Sequence, residues 1–493
     1  MRGSLLVAGT GSDVGKSLLV AGIARLLARS GVRVAPFKAQ NMSNNSMVCA
    51  DGGEIGRAQW LQAVAAGVEP EVAMNPVLLK PGSDHTSHVV LLGEPDGELP
   101  ADRWREAGRR LADAAYASFA ELRRRFDVVV CEGAGSLAEV NLRDGDFVNL
   151  GLAARFGIPV VVVGDIDRGG VLAAMVGTYE LLDAADRALL AGWIVNRFRG
   201  DRALLEPGLD VVRARTGLPV LGVVPWLDGV WLDAEDALAT GGWSRASAGS
   251  LLRVAVVRLP RVSNATDVDA LAAEPGVSVA VTADPDDVLA SDVTVLPGTR
   301  ATVADLEWLR ERRIADAVAA RARLGCPVLG ICGGYQMLGQ RIVDPVESRA
   351  GAVAGLGLLP VAVEFGAAKI LGRPRGAWRG VGVGGYEIHH GQAHVTADTV
   401  GAEGFPGGIR VGTVWGTMWH GTFENDAFRR AWLAEIARQA GSPWTPEADA
   451  EGFAQRRTAM LDRLADAVAA HLDEAALRRI LGAGRPENRH SEA

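Results

Sequence analysis

The chain has 493 residues, 48% of them apolar and 22% charged, with a formal net charge of −8. At roughly 150 residues per domain this predicts about three domains, and the acidic balance argues against nucleic acid or an anionic membrane as the main partner. Four cysteines at scattered positions (Cys49, Cys131, Cys326 and Cys332) match neither a disulfide framework nor a paired-thiol zinc site. No run of about 18 apolar residues reads as a membrane span, and the first residues enter a strand instead of a signal peptide. The expectation is a cytoplasmic protein with small ligands.

The first element, Ser4 to Ala8, reads as a strand. It is followed by Gly9-Thr10-Gly11-Ser12-Asp13-Val14-Gly15-Lys16-Ser17 and an amphipathic helix through Leu27. This order of strand, glycine-rich turn and helix is that of a phosphate loop, whose backbone N–H groups cradle phosphates. Lys16 adds a point charge, and the Ser17 hydroxyl is placed to bind Mg²⁺. The strict pattern has its first glycine at position 10, where this chain has Thr10, so the loop is a variant. Thr10, Gly11, Asp13, Gly15, Lys16 and Ser17 are the candidate phosphate-binding residues.

Further along, Lys38 follows the strand Val32 to Phe37 and is a candidate for a phosphate or a substrate carboxylate. Asp51 stands in a glycine-rich turn. Glu132 ends the apolar run Phe126 to Cys131 and is followed by Gly133-Ala134-Gly135, the place where a carboxylate holds Mg²⁺ directly or through water. Ser17, Asp51 and Glu132 are thus the candidate metal residues. Asp165 closes another apolar run, and Asn196, after Ala191 to Val195, is a candidate for reading an adenine. In Asp84-His85-Thr86-Ser87-His88 the histidine spacing lacks a third ligand of suitable type, so these residues are read as a polar substrate loop.

Residues 1–235 alternate strand-like and helical runs, as in a doubly wound parallel sheet with ligands at the carboxyl ends of its strands. The small, polar stretch within 236–252 reads as a linker. A second α/β series occupies 253–439. Its fourth strand ends in Leu329-Gly330-Ile331-Cys332-Gly333-Gly334-Tyr335-Gln336, an elbow that presents a thiol at a helix N-terminus, where negative charge is stabilised. Met418-Trp419-His420 follows another apolar run, Val411 to Gly416, and His420 supplies the proton acceptor that such a nucleophile needs. Cys326, ahead of Pro327, reads as an inert thiol, and His389 and His390 carry no assignment. In 440–493, Leu461, Leu464, Val468 and Leu472 recur at helical spacing and are expected to lay one stripe on the second domain. The tail from about Gly484 is expected to fray.

The cysteine elbow and His420 resemble a class I glutamine amidotransferase of flavodoxin-like fold, and the first domain is similar to dethiobiotin synthetase. More closely, several runs resemble the cobyric acid synthase family: Lys38-Ala39-Gln40-Asn41-Met42-Ser43-Asn44-Asn45, Met74 to Pro81, Glu132 to Ser136, Asp165 to Gly170, Pro297-Gly298-Thr299 and Gly385-Tyr386-Glu387-Ile388-His389. The resemblance implies ATP- and Mg²⁺-dependent amidation, with glutamine as nitrogen donor, of the b, d, e and g carboxylates of adenosylcobyrinic acid a,c-diamide. It implies an oxyanion cradle from the backbone N–H of Gly333 and of the Gly298 turn, with Gln336 and Tyr386 positioning glutamine. In triad amidotransferases an acid stands two residues after the histidine. Here that place is Thr422, Glu424 is given no role, and the resemblance implies a Cys332–His420 dyad with a backbone carbonyl orienting His420.

Two other readings share these residues. One is amidation of a different polycarboxylate, such as the a and c positions of cobyrinic acid or a cell-wall glutamate. The other is a partitioning-type ATPase switch, against which stands Gly11 in the place of that group's early lysine.

Overall fold

A computed structural model describes residues 2–81, 86–100, 104–230, 249–396 and 401–483. The chain divides into two compact units. One gathers the described residues of Met1–Ser43, Cys49–Asp233 and Arg457–Ala493; the other gathers those of Asn44–Val48 and Ala234–Arg456. Most of the expected linker, the His85 position and the tail from Gly484 lie outside the described residues.

The first unit is built on six parallel strands in the order Val220–Pro225, Leu190–Phe198, Val160–Asp165, Gly3–Gly9, Val128–Glu132 and Val34–Phe37. The valine-rich runs Val128–Glu132 and Val160–Asp165 are buried throughout, as expected of a sheet covered on both faces. Because Val7 aligns with Glu132 and Phe37 with Cys131, the register brings the phosphate loop, Glu132 and Lys38 to the carboxyl ends of three neighbouring strands. A smaller sheet of Gln40–Met42, Val77–Pro81, Thr86–Leu91 and Glu94–Pro100 adds to this unit.

The helices Phe453–His471 and Glu474–Ala483 belong largely to this first unit. Leu461 and Leu464 join a core cluster with Ala21, Leu61 and Ala65, and Val468 and Leu472 join another with Val20 and Ile23. The stripe predicted from helical spacing therefore exists, but it covers the first domain and not the second. The reason lies in side-chain complementarity along the helix Lys16–Arg29: Gly22 leaves room for Val468 and Leu464, and Arg25 bonds Asp462 at 2.9 and 3.2 Å. Farther on, Asp473 donates its N–H to Leu221 O at 2.7 Å.

The second unit has a seven-stranded sheet in the order Val277–Thr282, Leu252–Val257, Val293–Leu296, Val328–Ile331, Val414–Thr417, Gly408–Val411 and Ala402–Phe405. The first five strands are parallel and the last two antiparallel. The run Val411 to Gly416, read as one strand from the sequence, is split by a turn: Gly412 has φ 58°, and a hairpin joins Gly408–Val411 to Val414–Thr417. A four-stranded sheet of Arg341–Asp344, Gly351–Ala354, Val361–Gly372 and Glu387–Val395 and a two-stranded sheet of Arg375–Trp378 and Val381–Gly384 belong to the same unit. Both units are α/β with mainly parallel sheets, and the C-terminal part is helical.

Candidate functional site

In the second unit, adjacent parallel strands bring the candidate nucleophile and the candidate base together. Ile331 aligns with Thr417, so Cys332 and His420 leave the same end of the sheet, and Cys332 N–H donates to Thr417 O at 2.7 Å. Cys332 sits at φ 49° and ψ −108°, an uncommon conformation for a side-chain-bearing residue, held because its neighbours allow no relaxation. A side chain at Gly330 would strike the backbone of Gly334 and Tyr335 within 2.7 Å, and one at Gly334 would strike Leu296 O. The elbow needs its glycines for close approach.

His420 is 1% exposed. Its Nδ1 lies 2.6 Å from Asp267 Oδ2, and the other oxygen of Asp267 accepts the N–H of Gly421 at 2.7 Å. Burial alone would lower the basicity of this ring. The carboxylate of Asp267 and the nearby sulfur of Cys332 outweigh burial and push its pKa up to about 10. With Nδ1 engaged, Nε2 is the nitrogen left for the thiol of Cys332, whose contact with the ring is among the causes of its raised pKa. The expected orienting carbonyl is thus replaced by a buried carboxylate, making Cys332, His420 and Asp267 a three-residue array. Asp267 comes from a short 3-10 turn, Ala265–Val268, about 150 residues before the histidine, and no spacing rule points to it.

The remaining expected residues surround this array. Tyr386 stacks on His420, with centroids 5.3 Å apart, and their backbones pair at 2.9 and 3.0 Å. Gly298 lies against the imidazole: a Cβ there would be 2.9 Å from His420 Cε1. Gly333 backs onto Thr299, whose backbone nitrogen would be 3.0 Å from an added Cβ, so the Pro297-Gly298-Thr299 turn and the elbow are in contact. Gln336 is buried and engaged at both ends, accepting from Thr302 Oγ1 at 2.9 Å and donating to Gly391 O at 3.3 Å. In this structure it braces the elbow helix.

In the first unit, Gly15 has φ 90° at the head of the helix Lys16–Arg29. Lys16 Nζ donates to Gly11 O at 2.8 Å and to Gly135 O at 3.2 Å, curling across the loop, and Thr10 bridges to Ser136. Glu132 is buried among four donors: Ser17 Oγ and Lys38 Nζ, each 2.8 Å from Oε1, and Gln62 and Gln59 at 2.6 and 3.3 Å from Oε2. Burial would raise its pKa, but the ammonium of Lys38 and the bonds from Lys38, Gln62 and Ser17 hold it below the ordinary carboxylate range. Gln59 and Gln62, one turn apart on the helix Arg57–Ala66, were not singled out from the sequence; their i, i+3 spacing on a mostly buried helix was the available signal.

Other candidates are used differently from expectation. Asp51 is exposed and accepts Gly53 N–H at 3.1 Å, so it closes its own turn and has no bond to the Glu132 cluster. The neighbouring Glu54 is the buried acid, paired with Lys80. The Asn196 amide donates to Val14 O at 2.9 Å and braces the phosphate loop. Asp13 faces Arg168 and Arg197, and Asp165 caps Asp167 N–H while binding Arg197 at 2.9 Å. His88 lies 4.0 Å from Glu98 across a strand pair.

Ser17 Oγ and Glu132 Oε1 form a pair of hard oxygen donors beside Lys16, a donor set suited to Mg²⁺ with phosphate oxygens and water completing its shell. No described helix is long and apolar enough to cross a membrane.

Residues 5–238 match the CobQ/CobB/MinD/ParA nucleotide binding domain, and residues 253–428 match the CobB/CobQ-like glutamine amidotransferase domain. Among similar proteins, the cobyric acid synthase of Cutibacterium acnes is 61% identical over 95% of this chain and 98% of its own length. Those of Frankia casuarinae and Rhodococcus jostii are each 55% identical over 99% of this chain, covering 98% and 97% of theirs.

Proposed function

The chain belongs to the cobyric acid synthase family, glutamine-dependent amidoligases that use ATP, and from that premise we propose that it amidates the b, d, e and g carboxylates of adenosylcobyrinic acid a,c-diamide to give adenosylcobyric acid. The reading assigns residues 1–235 to ATP-dependent activation, 236–252 to a linker, 253–439 to glutamine hydrolysis and 440–493 to a helical extension. It makes the protein a cytoplasmic enzyme. The observation that carries it is the presence in one chain of a thiol–imidazole–carboxylate array and a phosphate loop with a buried acid.

A carboxylate is a poor acyl donor because its leaving group would be oxide. Phosphorylation by ATP makes the acyl phosphate, whose carbonyl accepts ammonia and expels phosphate. Lys16 and the amides of Gly11 to Ser17 stabilise charge on the transferring phosphoryl group, and Lys38 is placed to neutralise the acceptor carboxylate. Mg²⁺, held at Ser17 and Glu132, would supply further charge neutralisation.

At the other centre His420 Nε2 takes the thiol proton, Cys332 attacks the glutamine amide carbon, and the imidazolium returns the proton to the departing ammonia. Water then releases glutamate from the thioester. Asp267 orients the ring and stabilises the imidazolium, while Gly333 N–H and the Gly298 turn hold the oxyanion. Incubation with ATP, Mg²⁺, glutamine and adenosylcobyrinic acid a,c-diamide, followed by product mass, tests the assignment. Stepwise replacement of four hydroxyls by amino groups is expected; an unchanged corrinoid would refute it.

A further inference from the structure

Five residues of the second unit, Asn44–Val48, are flanked in sequence on both sides by residues of the first, and they lie outside the span 253–428 that matches the amidotransferase domain. Two reciprocal hydrogen bonds tie this segment to the turn that carries Asp267. Asn45 Oδ1 accepts the N–H of Ala265 at 3.2 Å, and Asn264 Oδ1 accepts the N–H of Ser46 at 2.9 Å. Asn45 and Asn264 are 1% and 3% exposed, so without the Asn45 amide the N–H of Ala265 would be left in a buried place with its acceptor gone. Asn264 stands at φ 51° and ψ 42°, a left-handed conformation that asparagine tolerates better than most residues, and its carbonyl accepts the N–H of Asp267 at 3.1 Å. Its neighbour Ser263 donates its N–H to Gly298 O at 2.9 Å. At the end of the segment, Val48 shares a buried apolar cluster with Tyr386 and Ile388, and the ring of Tyr386 stacks on His420.

Resting on the glutamine hydrolysis proposed above, we infer that Asn45 and Asn264 are positioning residues for that step: their paired bonds fix the place of the Asp267 turn and, through it, of the His420 ring. Asp267 holds the ring with one oxygen and the N–H of Gly421 with the other, so a turn that drifts carries the imidazole away from Cys332. The two bonds act at the entry of that turn, where the backbone is held in an uncommon conformation and needs outside support to stay there. Asn45 supplies this support from 220 residues earlier in the chain. The span 253–428 therefore contains Cys332, His420 and Asp267 but not all that keeps them in register.

The test uses the full-length protein with Asn45→Ala and Asn264→Gly, singly and combined, and with Asn264→Asp. Glycine keeps the left-handed backbone and removes only the amide, whereas aspartate keeps both the backbone preference and an oxygen acceptor. Steady-state glutamine hydrolysis should show kcat lowered by about tenfold in Asn45→Ala and in Asn264→Gly, with KM within about twofold of wild type. The double variant should fall little further than either single one, because both bonds hold the same turn, and Asn264→Asp should hydrolyse glutamine at close to the wild-type rate. Amidation driven by added ammonia should stay at the wild-type rate in Asn264→Gly. Wild-type kcat in both single variants would overturn the inference, as would an Asn264→Asp as slow as Asn264→Gly, or an Asn264→Gly that loses ammonia-driven amidation in parallel and so is merely misfolded. A wild-type protein that hydrolyses no glutamine would instead refute the reading on which the inference stands.

Discussion

At the end of the strand Val128–Glu132 a carboxylate is buried among four donors, whereas beyond the strand Val414–Thr417 an imidazole is buried against one carboxylate. The first arrangement spreads the stabilisation of a charge over Ser17, Lys38, Gln59 and Gln62, so that losing one donor leaves three. The second draws it from one carboxylate, Asp267, together with the sulfur of Cys332, with glycine-enforced contact and a stacked Tyr386 supplying shape and no charge. Redundancy suits a site that must hold its acid in place while phosphate arrives and leaves. A single carboxylate suits a ring that must be held in one orientation and carry a positive charge.

The largest effect is expected where there is no redundancy. Asp267→Asn should lower kcat for glutamine hydrolysis by about 10⁴-fold, since an amide can present the wrong hydrogen-bonding pattern to Nδ1. A structural role alone would not change the pH dependence, and this substitution should. His420, raised to about 10, contributes stability that is fully present below its ordinary value near 6.5 and is lost as pH rises through about 10. The midpoint of thermal unfolding of the wild type should therefore fall between these limits, and the fall should shrink in Asp267→Asn. An unchanged slope would remove Asp267 from the array.

The sequence announced both centres through contiguous motifs. A phosphate loop and a cysteine elbow are local solutions, in which glycine, lysine and cysteine must stand at fixed spacing for the backbone to turn and the side chain to project. Their strands were legible for the same reason, as valine-rich runs ending on Glu132 and Cys332. The supporting residues were not. Asp267, Gln59 and Gln62 reach their partners across long stretches of chain, so only register and packing disclose them. The C-terminal stripe shows a related limit: helical spacing identified Leu464 and Val468 as core residues, but the surface they cover depends on the room left by Gly22.

A smaller effect is expected at the redundant centre. Gln62→Leu removes the 2.6 Å bond to Glu132, and ATP-dependent amidation should fall by about tenfold, consistent with one charge-assisted hydrogen bond. Glu132 is held below the usual carboxylate range, so its contribution to stability is present above that range and is lost as pH falls through its lowered value. In Gln62→Leu this acid-side loss should begin at higher pH, visible in acid unfolding followed by tryptophan fluorescence. A loss of activity as deep as that of Asp267→Asn would erase the contrast between the centres.

The smallest effect on chemistry is expected from Leu464→Ala, which leaves a cavity beside Gly22 and should cost about 3 kcal/mol of stability in the first unit. Glutamine hydrolysis should persist at a temperature where ATP-dependent amidation has been lost, as read by parallel thermal inactivation curves. Coincident inactivation would show that the helix supports both activities equally.

The division of labour between the centres is tested most directly by assaying Cys332→Ala and Lys16→Ala with glutamine and, separately, with a high concentration of ammonia. Cys332→Ala should lose glutamine-driven amidation and keep ammonia-driven amidation, while Lys16→Ala should lose both. Failure of Cys332→Ala to use ammonia, in a protein whose ATP binding is intact, would contradict the account.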